Sequence, residues 1–312
     1  MPGNLLRTKA VILAKLETTY GVDLTPTAGS NAILCELPEF EVIEKTLERN
    51  NTRTYYGNDV PINVGEGLKI TFTTEAKGSG TAGTAPEIGP LFQACNFTET
   101  VIPVTSVMYG LNSKNTDGKS VTIYFYQHDI LHKIKGCRGK VSLDLKAGEY
   151  GKFKWEFTGL PATPVDSSIV TGIYNATLPP VLKSGGFSID SYAGVIDTFK
   201  LSIDNKVSKR PSANAPAGIL EYFISGRKVS GEIDPETPTL ATKDFWAKWE
   251  NSDQMDMQIS LGATAGNIMY IESPYTVLKA PKYGEREGLL IYSLGFKSIP
   301  SQGNDELIIM FT

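Results

Sequence analysis

Residues 121–157, VTIYFYQHDILHKIKGCRGKVSLDLKAGEYGKFKWEF, decide the fold of this chain. Three segments inside this stretch, VTIYF (121–125), VSLDL (141–145) and FKWEF (153–157), alternate apolar and polar residues. A period of two residues is typical of a strand that buries one face. Strands of this kind suit antiparallel sheets that pack on each other or close into a barrel.

The same alternation recurs on both sides of this stretch. Glycine and proline interrupt nearly every gap between the alternating segments, so we expect many short connections. The further predicted strands are FEVIEK (40–45), LKITF (68–72), FKLSI (199–203), GILEYFI (218–224), MDMQISL (255–261) and LLIYSLGF (289–296).

Two segments have helical character, PEIGPLFQACN (86–96) and TKDFWAKWENS (242–252). The first carries proline in its first turn, where the missing N–H costs little, and Thr242 can cap the second. Each segment has an apolar stripe that we expect to pack on a sheet. The stripes are Leu91, Phe92 and Cys95 in the first segment, and Phe245, Trp246 and Trp249 in the second.

The phrase LKAGEYG (145–151) returns as LKAPKYG (278–284), with five of seven residues identical. The order strand, loop, strand, helix, strands is also the same in both halves, except for an insertion at 97–119 in the first. The sequence therefore predicts one β-rich domain written twice. We place the first domain at 1–165, a linker at 166–195 and the second domain at 196–312.

Composition limits the function classes. The 312 residues are 41% hydrophobic with net charge −4, as in ordinary globular proteins, and no run of 18 apolar residues would cross a membrane. Residues 1–165 hold 17 basic and 17 acidic side chains, whereas 166–312 hold 13 and 17. A tight nucleic-acid binder would carry a basic excess. The first 21 residues lack the pattern of an export signal, and three widely spaced cysteines predict free thiols.

No catalytic set emerges from the motifs. His128 and His132 are the only histidines, and on a strand they would lie about 13 Å apart, too far to share a metal. Residues 78–83 match G-x-G-x-x-G without the strand and helix that a nucleotide site needs, and Asn115–Lys119 reads as a turn. We therefore predict no enzyme activity, no metal and no cofactor.

An interaction surface is indicated at about 48–67, ERNNTRTYYGNDVPINVGEG. Loops this long inside a compact domain are usually functional, and tyrosine and arginine are typical contact residues. The second half has a shorter counterpart, NKVSKRPSANAPAG (205–218). The candidate contacts are Arg49, Arg53, Tyr55, Tyr56 and Asp59 in the first loop and Arg210 in the second.

Several phrases resemble the tail tube proteins of long-tailed bacteriophages. One is KLETTYGVDLTPT (15–27), in which Glu17, Tyr20, Gly21, Asp23, Pro26 and Thr27 match the opening of that family. Another is the strand pair at 120–160, in which Asp129, His132, Gly136, Arg138 and Gly139 match while Phe125 and Gln127 depart from the pattern. GPLFQACNF (89–97) and ISGRKVSGEIDPE (224–236) add to the resemblance, which covers most of 10–160 and parts of 196–296.

The resemblance implies two tandem tube domains, each of packed, roughly orthogonal antiparallel sheets (a sandwich or barrel) with one flanking helix. Single-domain members form six-fold rings that stack through the long loop, so a duplicated chain implies a trimeric ring with pseudo-six-fold symmetry. The implied partners are further copies of the chain, the tape measure, tail tip and tail terminator proteins, and phage DNA that passes through without specific binding. The implied location is the virion tail, after synthesis in the host cytoplasm.

A channel for DNA should present more acidic than basic groups to its lumen. The candidate lumen residues are Glu75, Asp144, Glu156, Asp204 and Glu232. Three alternatives remain open at this stage: a single-ring tail component (distal tail, hub or terminator protein), a carbohydrate-binding β-sandwich, and a glycosidase on a β-scaffold, which would need two carboxylates in a cleft.

Overall fold

The computed structural model describes residues 4–114, 118–183 and 185–312. The chain is mainly β, with 50% of its residues in strands and 4% in helices. The strands of the first half and the linker are β1 (Ala10–Leu16), β2 (Ala32–Ile33), β3 (Glu39–Leu47), β4 (Ile62–Glu75), β5 (Phe97–Ile102), β6 (Ser106–Leu111), β7 (Val121–Gln127), β8 (Ile130–Lys146), β9 (Lys152–Pro161), β10 (Val165–Asp166) and β11 (Ser188–Ile189). Those of the second half are β12 (Thr198–Pro211), β13 (Ile219–Ile233), β14 (Met255–Leu261), β15 (Met269–Leu278), β16 (Lys282–Arg286), β17 (Leu289–Ser298) and β18 (Ile308–Phe311).

The predicted fold class is confirmed. The strands form one large antiparallel sheet that folds over into a sandwich, and it does not close into a barrel. Every segment that the alternation predicted as a strand lies within or overlaps a strand of the structure. The turn predicted at 115–119 falls mainly on residues 115–117, which are outside the described residues.

The two helices are shorter than the sequence predicted. Helix α1 (Gly89–Ala94) has a proline in its first turn, and α2 is Phe245–Glu250. The cap of α2 is Asp244 and not Thr242, because the Asp244 carboxylate accepts hydrogen bonds from the backbone N–H groups of Trp246 and Ala247. An ionised carboxylate is also favoured by the helix dipole at this end, which a threonine hydroxyl is not.

Both predicted loops are shorter than expected because the strands beside them continue. β4 begins at Ile62 and pairs with β3 up to Leu47, so the first loop is 48–61. β12 continues to Pro211, so the second loop is 212–218 and Arg210 lies on a strand. The polar residues in these segments alternate on exposed two-stranded arms, where no buried face imposes an apolar pattern.

One layer of the sandwich is a run of paired strands in the order β3-β4-β9-β8-β12-β13-β17-β16. We call it the long layer. Its inner side buries alternate apolar residues against α1, α2 and the remaining strands, around one continuous core. Trp155 and Phe92 lie at the centre of that core, with ring centroids 5.0 Å apart. Burial of large side chains of this kind supplies most of the stabilisation of such a layer.

The order of strand pairing is the same in the two halves. In the first half the order is β3-β4-β9-β8-β7, followed by β1. In the second half it is β12-β13-β17-β15-β14, followed by β11. The LKA phrase does not occupy equivalent places, however. The first copy spans the turn between β8 and β9, whereas the second lies at the break between β15 and β16.

Within the described residues, two strand pairs join the halves. β8 pairs with β12 over Val141–Lys146 and Thr198–Ile203, and β6 pairs with β18. We call the β8–β12 pair the internal seam. The buried Asn205 side chain reinforces it by donating to the carbonyl oxygens of Cys95 (2.8 Å) and Gly139 (2.9 Å). The insertion at 97–119 thus helps to join the halves, because it contains β6, the strand that pairs with β18.

Candidate assembly surfaces

The outer side of the long layer is a broad polar surface, which we call the polar face. Successive side chains of a strand point to opposite sides of the sheet. Because Leu143 and Leu145 are buried, Ser142 and Asp144 point to the outer side. All five candidate lumen residues occupy this face. They are Glu75 on β4, Glu156 on β9, Asp144 on β8, Asp204 on β12 and Glu232 on β13.

Each of these acids has a lysine opposite it or beside it on a neighbouring strand. One row of directly opposed residues crosses five strands and runs through the internal seam. Its members, in order across the sheet, are Glu75, Lys152, Asp144, Lys200 and Glu232. Opposite charges directly across an antiparallel pair stabilise the sheet by about 0.2–1 kcal/mol each.

A second set of charges lies further along the same strands. Lys140 contacts Glu156 at 3.5 Å and Asp204 at 3.4 Å, and Lys69 contacts Glu156 at 3.2 Å. The acids of the polar face are therefore matched by lysines. Strands that pair side by side favour alternating charge over a single sign.

The loop 48–61 brings three of its predicted contact residues into a small cluster. Arg53 forms an ion pair with Asp59 and lies 5.7 Å from the centre of the Tyr55 ring. The Asp59 carboxylate also accepts from the backbone N–H of Asn51 at 2.7 Å, which closes the loop on itself. Tyr56 is fully exposed beside this cluster, and Arg49 is also exposed. The cluster presents aromatic and basic groups to solvent.

Arg210 belongs to the neighbouring arm, where it pairs with Glu221 at 3.1 Å. That arm lies against the first one, since Lys209 contacts Glu66 at 2.5 Å and the Tyr222 hydroxyl donates to the Glu66 carbonyl at 2.9 Å. The Lys209 ammonium lowers the pKa of Glu66, and burial, the next cause, opposes this. The two arms therefore project side by side from the same end of the long layer.

The family-like opening phrase anchors the N-terminal segment, a role that the sequence did not predict. Glu17 is buried and accepts from the hydroxyls of Ser120 (2.6 Å) and Thr122 (2.7 Å) and from the N–H of Gly136 (2.7 Å). Gly136 has φ +61, and a Cβ there would meet the Tyr20 ring at 2.5 Å, so glycine is required. These contacts hold 17–21 against β7 and β8.

The helix stripes face the core to different depths. Leu91, Phe92, Cys95 and Phe245 are fully buried, whereas Trp246 and Trp249 are half-buried and pack at the edge of the core. The Trp246 indole N–H donates to the Tyr292 hydroxyl at 3.0 Å. The stripe spacing predicted the direction of these side chains, but the depth depends on how far the second layer covers them.

The histidines and cysteines that the motif search singled out lie apart in the structure. Among the described residues, no three His, Cys, Asp or Glu side chains cluster as a metal site, and no helix is long and apolar enough to cross a membrane. His128 lies in the turn after β7, while the His132 ring packs 4.4 Å from Phe40. The three cysteines are free thiols, and burial, followed by the nearby Glu87, raises the pKa of Cys35 to about 12.

A β-sandwich with projecting arms and open strand edges presents surfaces of the kind that structural assembly subunits use. Comparison with known families agrees with that class. The model of the phage tail tube protein family matches residues 8–298, nearly the whole chain. The chain is therefore a member of the phage tail tube protein family, and its role is that of a structural component of the virion tail. No curated protein sequence matches it.

Proposed function

We propose that three copies of this chain form a closed ring of six similar domains and that these rings stack into the tail tube. The observation that carries the proposal is the internal seam. It joins two halves with the same pairing order, at 1–165 and 196–312, so that they continue one sheet. A contact of this head-to-tail kind generates a ring when its rotation closes. A duplicated domain gives each chain two of the six positions.

The two edge strands of the long layer, β3 and β16, are suited to continuing the ring. Within the described residues, β3 pairs only with β4 and β16 pairs only with β17. An exposed strand edge is a template for pairing with another chain. Because the two ends are different surfaces, copies join head to tail, which makes a ring and not a two-fold dimer.

The polar face is the surface that we assign to the lumen. Each of its five candidate acids has a lysine opposite or beside it, and Lys69 and Lys140 lie 3.2–3.5 Å from a carboxylate, so phosphates passing over these positions meet paired charges. Counterion release from phosphates onto unpaired lysines is what makes DNA binding tight. A charge-matched lining therefore favours passage of DNA during ejection without specific binding, and no enzyme activity or cofactor enters this function.

The arms that carry loop 48–61 and Arg210 are the contacts that we assign to stacking between rings. Exposed tyrosines and arginines are residues that contribute strongly to protein interfaces. The ring surfaces that carry these arms would also meet the tail tip and terminator proteins. The tape measure protein would lie inside the tube. Assembly would take place in the host cytoplasm before the tail joins the virion.

The stacking assignment is tested by deleting residues 52–60, which lie wholly outside β3 and β4. We expect the variant to keep the melting temperature and the ring mass of the parent but to form no tubes under negative-stain electron microscopy. The substitution Ala213→Gly, in the second loop, is a matched control for local loop change. Long tubes from the deletion variant would contradict the assignment. Rings that never stack, even in the parent, would favour a single-ring tail component.

A further inference from the structure

The internal seam is crossed by a row of three alternating charges. Asp144 on β8 is directly opposite Lys200 on β12, which is directly opposite Glu232 on β13. These side chains lie on the polar face, and the row reads acid, base, acid. The apolar residues on the other side of the same seam are buried, with Val141 and Leu201 each 2% exposed.

The pairing registers define which residues of the two halves are equivalent. β9 and β17 both have ten residues. Their first residues are Lys152 and Leu289, which are 137 apart. Lys152 is opposite Asp144, and Leu289 is opposite Arg286, so Asp144 and Arg286 are equivalent.

The outer strands give a second equivalence. Phe157 on β9 is opposite Ile70, which is opposite Phe40. The matching residue of β17, Leu294, is opposite Ile233, which is opposite Phe199. Phe40 is therefore equivalent to Phe199. The residues that follow the two phenylalanines, Glu41 and Lys200, are therefore equivalent. Their cross-strand partners, Lys69 and Glu232, are equivalent as well.

The row equivalent to the internal seam is therefore Arg286, Glu41 and Lys69, which reads base, acid, base. All three charges have changed sign. Glu41 and Lys69 already face each other within the chain, whereas Arg286 lies at the other end of the long layer. The guanidinium of Arg286 contacts Asp234 at 3.1 Å and Glu236 at 3.2 Å. Its five N–H donors allow a third carboxylate.

The apolar residues at the two outer edges also indicate a missing neighbour. Val42 on β3 is 54% exposed and Tyr283 on β16 is 61% exposed. Their equivalents at the internal seam, Leu201 and Val141, are buried. Positions that are core at the internal seam are thus open at the two outer edges.

We propose that β3 of one copy pairs antiparallel with β16 of a second copy in the register of the internal seam, so that Arg286 faces Glu41 of the neighbour. The proposal rests on the ring proposed above. It adds the register of the strand pair between copies and the charges that favour this pair over mixed pairs. The reversed signs keep the two kinds of seam apart. If β3 of a neighbour displaced β12 from β8, Glu41 would face Asp144, and if β16 met β12, Arg286 would face Lys200. Like charges directly opposite are destabilising, so mixed seams are disfavoured.

The register is tested with cysteine pairs in the full chain. Ser142 and Ser202 are opposite at the internal seam, and their equivalents are Gly284 and Ile43. The variant with Gly284→Cys and Ile43→Cys should form covalent dimers and trimers between copies on mild oxidation, seen on a non-reducing gel. The matched control pairs Gly284→Cys with Glu39→Cys, four residues out of register and about 13 Å away. The parent controls for the native thiols.

The outcomes distinguish a failure of the proposed strand pair from a failure of the proposed ring. Cross-linked trimers from the first variant alone support the seam and its register. If the parent forms rings by mass photometry but neither variant cross-links between copies, or both do so equally, the seam is wrong while the ring stands. If the parent stays monomeric at every concentration, the ring is wrong, and the seam is overturned with it.

Discussion

The two halves of this chain have the same order of strand pairing but complete it differently. In the first half, β8 is a continuous strand of 17 residues, and its far end is covered by β12. In the second half, the equivalent path is broken at Pro281 into β15 and β16, and β16 has one uncovered edge among the described residues. The same position is therefore a finished seam at β8 and an open edge at β16. The proposed assembly rests on this difference.

The largest effect that we expect concerns the centre of the first half. Trp155 is fully buried, and its indole N–H donates to the Thr74 hydroxyl at 2.9 Å. Replacing Trp155 by alanine should lower the free energy of unfolding by about 3–5 kcal/mol, through lost burial and the cavity left behind. Denaturant unfolding measures this.

The comparison is Trp246→Ala, a substitution of the large aromatic residue on α2 in the second half. Because Trp246 is only half-buried, it should cost about 1–3 kcal/mol. Equal losses for Trp155→Ala and Trp246→Ala would mean that the two side chains are covered to the same depth, contrary to the structure. If neither variant loses unfolding free energy, the two tryptophans face outward, which would favour a ligand-binding role for them.

The internal seam should be the next most sensitive feature. Asn205→Ala removes the donor for two buried carbonyl oxygens, at Cys95 and Gly139. A cost of about 2–3 kcal/mol in unfolding free energy is expected, because buried acceptors are left without partners. Ser202→Ala on the polar face of the same strand is the control, and it should change stability by about 0.5 kcal/mol or less.

The open edge is probed by Glu41→Lys, which places a lysine opposite Lys69 and, in the proposed ring, opposite Arg286 of the neighbour. We expect the concentration needed for ring formation to rise roughly fivefold, for about 1 kcal/mol per seam. The melting temperature of the monomer should fall slightly, because the exposed residue 41 is also opposite Lys69 within the chain. Glu250→Lys makes the same charge change at the exposed end of α2 and should leave the rings intact. An equal effect of both variants would point to net charge and not to the seam.

The smallest effect concerns the ion pairs beside α2 and their dependence on pH. Hydrogen bonding from the Lys243 ammonium, with Lys248, lowers the pKa of Asp190, which ties the chain before β12 to the region of α2. Because the folded pKa is depressed, this contribution is present above the unfolded value near 3.8 and is lost as the pH falls through the folded pKa.

Thermal melts of the parent and of Asp190→Asn measure this contribution. Asparagine also tolerates the left-handed backbone at this position, φ +48. We expect a difference in stability of under about 1 kcal/mol at pH 6, because the pair is partly exposed. The difference should shrink below pH 4. A gap that stays constant down to pH 2 would show that the ion pair is not its source.

Much of the fold was readable from alternation, because a strand that buries one face must repeat every two residues. The FKWEF and VSLDL segments predicted their own strands and their buried faces. The arms were missed as strands, since residues such as Lys206–Pro211 and Ile62–Glu66 have no buried face to impose a pattern. The LKA phrase predicted a repeated domain, which stays a prediction. The two copies of the phrase lie at different places in the strand order.

The assembly surfaces were harder to read. The five acids were correctly grouped on strands, but the sequence does not give the lysines that face them, because cross-strand register joins residues far apart in the chain, such as Asp144 and Lys200. The open edges were not predicted at all. Their signal, the reversal of charge at Arg286, Glu41 and Lys69, becomes visible only once the registers of both halves are known.

The number of chains and domains in the ring is the most direct test of the proposed assembly. Cryo-electron microscopy of the purified protein, with mass photometry of the same sample, determines both numbers together. We predict closed rings of about 100 kDa, three times 33.9 kDa, with six similar lobes around a hole and the polar face lining it. Rings of six chains with twelve lobes, or two-fold dimers, would contradict the proposed ring.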